Sequence, residues 1–376
     1  MKKKVLAAIL IAVGVLTGCG NTEPISSPIQ TVEAEPIATD IQEVEQPGAT
    51  EEANENHDGM YRSELTNEWI DESLKDQRPI AVMVDNEKTA LPHFGVADAD
   101  VVYEIINSTL NDRITRFMVV VKDWDKIEQL GSIRSARPTN FMLAAEWNAV
   151  LCHDGGPFFI NDWVAKDYSA NFSGGFARYS NGKAAEFTEY ITYDKYTNTQ
   201  KGKTYDGLKQ RFESSRYTTT YNDYYQGAHF KFADAEVTFA DRNDAISATT
   251  IELPFKHNGS TLKYNEETGT YDYYEYGSAH KDAASGEQLT FENVILQNTT
   301  FADLGEGYLI YNAIDSGRSG YYITEGKAIE VNWIKSSENA ITHYYDAKTG
   351  EEIEVNTGKT YISLIPSDGW NNVVIK

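Results

Sequence analysis

The segment Gly131-Ser132-Ile133-Arg134-Ser135-Ala136-Arg137-Pro138 gathers the chemistry-bearing residues of this chain most densely. Two arginines stand just before an apolar stretch that opens on proline, and a helix start there would add unpaired backbone N–H groups and a partial positive charge. Guanidinium groups donate charge-assisted, bidentate hydrogen bonds to carboxylates and phosphates. The pattern is that of an anion site, with Arg113 and Arg116 on a neighbouring apolar run able to join it. The competing reading makes the loop arginines structural partners of Asp85, Glu104 or Glu146. Asp85-Asn86, Tyr103-Glu104 and His153-Asp154-Gly155-Gly156 each end an apolar run, and open α/β sheets hold ligands beyond the carboxyl ends of their strands. The expected ligand-binding set is therefore Asp85, Asn86, Glu104, Arg116, Arg134, Ser135, Arg137, Gly155 and Gly156. His153 is the candidate general base, oriented by Asp85 or Glu104. Ser135 lacks the Gly-x-Ser-x-Gly elbow of a hydrolase nucleophile. No spacing among His93, His153, Asp98 and Asp100 matches a metal-ligand signature, so neither a metal nor a cofactor is expected.

The elements that must position these residues follow from periodicity. Ile80 to Val84 and Ile114 to Lys122 read as buried strands, and so does Ala149 to His153, which carries Cys152 as a small hydrophobe. Pro138 to Trp147 has helical spacing with proline near its first position, Phe158 to Tyr168 reads as a second amphipathic stretch, and Asp206 to Tyr217 as a weak helix. Alternation of this kind predicts an N-terminal α/β domain with a mixed sheet over residues 76–180. A tyrosine-rich stretch, 181–234, is expected as a junction. From 235 to 376 the chain reads as strands and turns, three of them alike: Asn265 to Gly269, Asp282 to Gly286 and Asp346 to Gly350. Each pairs an Asx residue with a Gly suited to positive φ, which predicts hairpins and a mostly antiparallel β-rich domain, an α+β chain overall. The dense tyrosines there, such as Tyr271, Tyr273 and Tyr361, read as cross-strand packing.

Lys2-Lys3-Lys4, a short apolar run and Leu16-Thr17-Gly18-Cys19 compose a secretory signal too short to span a membrane. The last four residues resemble the lipobox of bacterial lipoproteins, which implies a lipidated mature N-terminus at Cys19, bearing acyl chains such as palmitate, on the extracytoplasmic face of the cell membrane. From residue 20 the chain is acidic, with no lysine, arginine or aromatic residue as far as Met60. Such composition cannot offset the entropy of ordering, and a disordered tether is expected over residues 20–75. The formal net charge is −24, a poor match to nucleic acid, whose binding needs clustered Lys and Arg. With two cysteines in all, one of them at the lipobox, no internal disulfide is expected and the fold must rest on its core.

The runs Arg78 to Asn86, Ala99 to Glu104, Thr115-Arg116-Phe117, Gly131 to Arg137 and His153 to Gly156, followed by Asn293-Val294-Ile295, Gly326-Lys327 and Trp333-Ile334-Lys335, resemble the YerB-like lipoproteins of Gram-positive bacteria. The resemblance covers most of residues 78–165 and about 290–367, and implies a two-domain extracytoplasmic lipoprotein without supplying a reaction. Three functions are open: binding of an anionic small molecule or cell-wall fragment through the arginine loop, an envelope hydrolase using His153, or an adaptor that binds an envelope protein and catalyses nothing.

Overall fold

Strand-forming residues dominate the computed structural model, which describes residues 57–376; Cys19, the signal and the acidic segment to residue 56 lie outside the described residues. The β-branched run Ile80–Asp85 pairs antiparallel with Thr115–Val121 and parallel with Val150–His153. Thr115–Val121 pairs antiparallel with Val101–Ile106. There the two halves of the chain meet, because Val101–Ile106 pairs in parallel with Thr360–Pro366, Glu104 opposite Ser363. Thr360–Pro366 then pairs in parallel with Asn293–Thr299, which leads through Asp315–Thr324 to Lys327–Lys335. The result is one mixed sheet of 11 strands, whose middle strands are buried on both faces. The fold is α+β, and the described residues belong to one compact unit. Each fully buried Val, Ile or Phe stabilises such a core by roughly 1.5–3 kcal/mol, so no disulfide is needed.

A second sheet of six antiparallel strands, with Thr261–Asn265 and Thr270–Glu275 at its centre, belongs to the second half. The hairpins of the second half, two in this sheet and one on the 11-stranded sheet, use the expected turn chemistry. Asn265, Asp282 and Asp346 each accept backbone N–H bonds two or three residues on, and Gly269, Gly286 and Gly350 sit at φ 71°, 77° and 76°. Tyr271 and Tyr273 are buried packing residues, as expected.

The helix Pro138–Glu146 forms where expected, but all nine of its residues are buried. Its Glu146 accepts bonds from Tyr103 OH at 2.7 Å, Thr342 Oγ1 at 2.7 Å and Lys335 Nζ at 2.9 Å. Burial alone would raise this carboxyl, but Lys335 and His229 hold it well below the usual carboxylate range. The 158–168 stretch yields only a 3-10 turn, Phe158–Ile160, and one helical turn, Asn161–Val164. Asp206 to Tyr217 contains the helix Leu208–Ser214.

Two boundaries move. The expected tether to residue 75 gives way to folded chain by His57: Met60–Arg62 pairs with Trp69–Asp71, Leu65 is buried, and Lys122 Nζ binds Glu64. Tyr61 and Trp69 supply the ring surface that the acidic segment lacks. The 181–234 stretch packs on the sheet, with Arg78 N–H donating to Thr219 O at 2.9 Å and His229 stacked on Trp147 at 4.0 Å. Among the described residues no helix is long and apolar enough to cross a membrane.

Glu104 ties the two halves together. Its fully buried carboxylate accepts Thr115 Oγ1 and Ser260 Oγ at 2.7 Å, Tyr273 OH at 3.0 Å, Asn86 Nδ2 at 3.3 Å, and Tyr361 OH. Burial pushes this carboxyl up to about 6, against the pull of those hydroxyls. A carboxyl raised on folding favours the folded state while protonated, and that contribution is lost as pH rises through about 6. The shift corresponds to roughly 2 kcal/mol. Urea unfolding should therefore show wild type losing about that much stability relative to Glu104→Gln between pH 4 and pH 7; a pH-independent difference refutes the linkage. Cys152 is inert for a similar reason, since burial pushes its thiol up to about 12. Mass spectrometry of the Cys152 peptide should show no alkylation by iodoacetamide at pH 8 in native protein and full alkylation in urea.

Candidate functional site

The Gly131 to Arg137 segment is pinned between two strand ends. Arg134 N–H donates to Met83 O at 2.9 Å and Asp85 N–H to Ser132 O at 2.9 Å, while Asp154 N–H and Ala136 N–H bond Arg134 O and Gly155 O at 3.1 and 3.2 Å. A Cβ on Gly156 would stand 3.1 Å from Ala136 O and 2.4 Å from Ile160 Cδ1, so a side chain there would push the Ile160 tip aside and crowd the loop carbonyl. The loop and the strand ends therefore meet, as the ligand-binding set required.

Three guanidinium groups converge there. Arg134 is partly exposed, with Nε 2.9 Å from Asp85 Oδ2 and Nη1 2.8 Å from Glu186 Oε2. Arg116, paired across the sheet with Asp85, donates Nη1 to Ser135 O at 2.7 Å. Arg137 donates Nη1 to Ala136 O at 3.0 Å and lies over the Tyr308 ring, 4.9 Å from its centroid. Arg116 and Arg137 are only 6% and 8% exposed, and the Nε of each has no hydrogen-bond partner. Burial pulls Arg116 down to about 9, Asp85 opposing and the other two arginines reinforcing, and it pulls Arg137 down to about 10. Three cations share two carboxylates, of which only Asp85 is buried. The helix start adds little, because Pro138 has no N–H and Asn140 N–H already donates to Arg137 O at 3.0 Å. Phe158, 74% exposed, rests on Phe159, itself 6.2 Å from Tyr308, so an aromatic rim borders the cluster.

Asp85, Arg116, Arg134, Ser135, Arg137, Gly155 and Gly156 thus come together. Glu104 and Asn86 do not, because both are sealed in the interior network; Asn86 donates to Glu104 and Thr115 and its carbonyl accepts from Asn258 and Tyr276. His153 also departs from expectation. Strand alternation turns its ring into the core against Phe141, with Nδ1 2.7 Å from Gly155 O and Nε2 3.4 Å from Asn171 Oδ1. Burial lowers its pKa, and its partners are neither Asp85 nor Glu104. Arg113 leaves the cluster for a bidentate pair with Asp368. Glu186, Tyr308 and Phe187, whose ring centroid lies 5.6 Å from the Arg134 guanidinium, complete the cluster without any motif to mark them. The expectation of no metal ligands rested on local spacing, and the fold brings His93 beside Glu275 and His280, residues that no local spacing connects.

Comparison with known proteins covers both halves. A protein of Bacillus subtilis (strain 168) named "Putative lipoprotein YerB" is 22% identical over 315 residues, 81% of this chain and 86% of that protein. The crystal structure of the YerB protein from Bacillus subtilis superposes with a TM-score of 0.65 at 18% identity, covering 84% of this chain and 99% of the other, which establishes the shared fold. Residues 65–206 match the N-terminal domain, and residues 251–362 the C-terminal domain, of the family described as "Protein of unknown function (DUF3048)". With both domains matched in order over more than half its length, the chain belongs to this two-domain family of unknown function.

Proposed function

We propose that the chain is a lipoprotein anchored at Cys19 to the outer face of the cell membrane, whose arginine cluster binds an anionic small molecule or cell-wall fragment. The observation that carries the binding half is the pair of buried guanidinium groups, Arg116 and Arg137, whose Nε atoms have no partner beside the partly exposed Arg134. Buried polar groups are satisfied with few exceptions, and an anion's oxygens would complete this set with charge-assisted bonds. The rim of Tyr308, Phe159 and Phe158 suits a sugar ring or apolar body attached to the anionic group. The anchoring half is supported by the lipobox-like Leu16 to Cys19 and by the name of the Bacillus relative. The hydrolase alternative loses its support with the burial of His153.

A thermal-shift series with inorganic phosphate, phosphosugars and muropeptides tests the binding half. A ligand at ~100 times its dissociation constant adds about 2.7 kcal/mol, and added salt should weaken the exposed part of that attraction. The stabilisation should vanish in Arg137→Gln and persist in Arg113→Gln; the absence of any saturable shift across the series sinks the reading. For the anchor, wild type should take up labelled palmitate and partition into detergent, and Cys19→Ser should do neither. Labelling that survives in Cys19→Ser refutes the assignment.

A further inference from the structure

His93, Glu275 and His280 are buried, and each can present a ligand atom within 4.8 Å of the other two. Their positions are fixed by backbone. Glu275 ends the strand Thr270–Glu275 and His280 follows Ser278–Ala279 across the Tyr276-Gly277 turn. His280 N–H donates to Tyr273 O at 3.0 Å, and Ala283 N–H clamps the hairpin to His93 O at 2.7 Å. Asp282 Oδ2 extends the clamp by accepting Val96 N–H at 2.8 Å and Ala97 N–H at 3.2 Å.

The polar atoms of the trio are incompletely used. His93 Nε2 is 2.6 Å from Asp85 O, a contact that needs its proton and leaves Nδ1 as a lone pair with no partner. His280 Nδ1 is 2.8 Å from Glu275 Oε1, while His280 Nε2 and Glu275 Oε2 have no partner either. Three unpartnered buried atoms in one cluster are unusual in a protein interior. A metal-binding histidine typically donates its other ring N–H to a carbonyl or carboxylate, which is the arrangement of His93 on Asp85 O. Phe117 and Tyr273 pack edge-on against the His280 ring, giving the cluster an apolar wall. Glu275 and His280 also border a pocket of about 410 Å³ that Lys88, Leu91, Pro92 and Tyr276 help to line.

We propose that His93, Glu275 and His280 form a three-ligand site for a divalent transition-metal ion of the zinc type, with its remaining coordination open to the adjoining pocket. Two imidazoles and one carboxylate suit zinc, and three protein ligands are the number that leaves an open position. Ligand atoms about 2.0–2.1 Å from a tetrahedral zinc stand ~3.4 Å apart, inside the 4.8 Å that bounds the trio, and the ion would replace the proton now shared by His280 Nδ1 and Glu275 Oε1 at 2.8 Å. The ion would tie the loop after strand Ile80–Asp85 to a hairpin of the second half.

The test uses the full chain, stripped with a chelator and dialysed against zinc sulfate. One equivalent should remain by elemental analysis, with a raised Tm. Glu275→Gln and His93→Gln should each weaken zinc affinity by roughly 100-fold or more. His343→Gln should not, since His343 is exposed on Glu352. Should a ligand variant fail to fold, the wild-type stoichiometry decides: no retained zinc, cobalt, iron or manganese and no change in Tm overturns the proposal. Retention of a full equivalent in folded Glu275→Gln overturns it as well, because the ion then lies elsewhere.

Discussion

The buried carboxylate of Glu104 is the constraint from which most of this architecture follows. A carboxylate without water is tolerated only where the protein supplies donors, and here they come from both halves: Asn86 and Thr115 from the first, Ser260, Tyr273 and Tyr361 from the second. Removing either half would strand the charge. The mixed sheet obeys the same demand, since Val101–Ile106, which carries Glu104, is the strand that pairs with Thr360–Pro366. Glu146 repeats the device on the covering helix, drawing Tyr103 from the first half and Lys335 and Thr342 from the second. Two family domains, separate in sequence, are therefore one body in folded form.

Strands and turns were legible because they depend on neighbours in sequence. The runs Ile80–Asp85 and Thr115–Val121 are apolar on both faces, as strands in the middle of a sheet must be, and the Asx-to-Gly turns carry their geometry in five residues. What escaped was decided by distant chain. Glu104 at a strand end reads as a pocket carboxylate until Tyr273 and Tyr361 arrive to bury it. His153 reads as a base until alternation turns it against Phe141. His93 matches no spacing rule because its neighbours Glu275 and His280 come from the other half. The helix Pro138–Glu146 looked amphipathic because its polar residues have buried partners, among them Lys335 and Thr342 for Glu146, which no helical period can reveal.

The arginine cluster was the part of the site most open to reading, because its signal was charge against background. In a chain of net charge −24, two arginines in one loop need either carboxylate partners or an anion. The fold supplies Asp85 and Glu186 to Arg134, and gives Arg116 and Arg137 only backbone carbonyls at Nη1. A guanidinium bonded to one carbonyl keeps most of its five donors for other use. The cluster thus divides its labour: Arg134 is neutralised and holds the loop to the strand, while Arg116 and Arg137 retain the excess charge.

Asp85 joins this cluster to the histidine pair. Its carboxylate lies on Arg134, its N–H on Ser132 O, and its carbonyl takes the His93 ring. A displacement of the strand end that lengthened the Asp85 to His93 contact would also shift the carboxylate that anchors Arg134. The two clusters therefore meet in one residue, whose backbone carbonyl touches the histidine and whose carboxylate touches the arginine. Asp85 ends the strand Ile80–Asp85 in register with Arg116, and that register fixes the backbone from which its carbonyl reaches the histidine and its carboxylate the arginine.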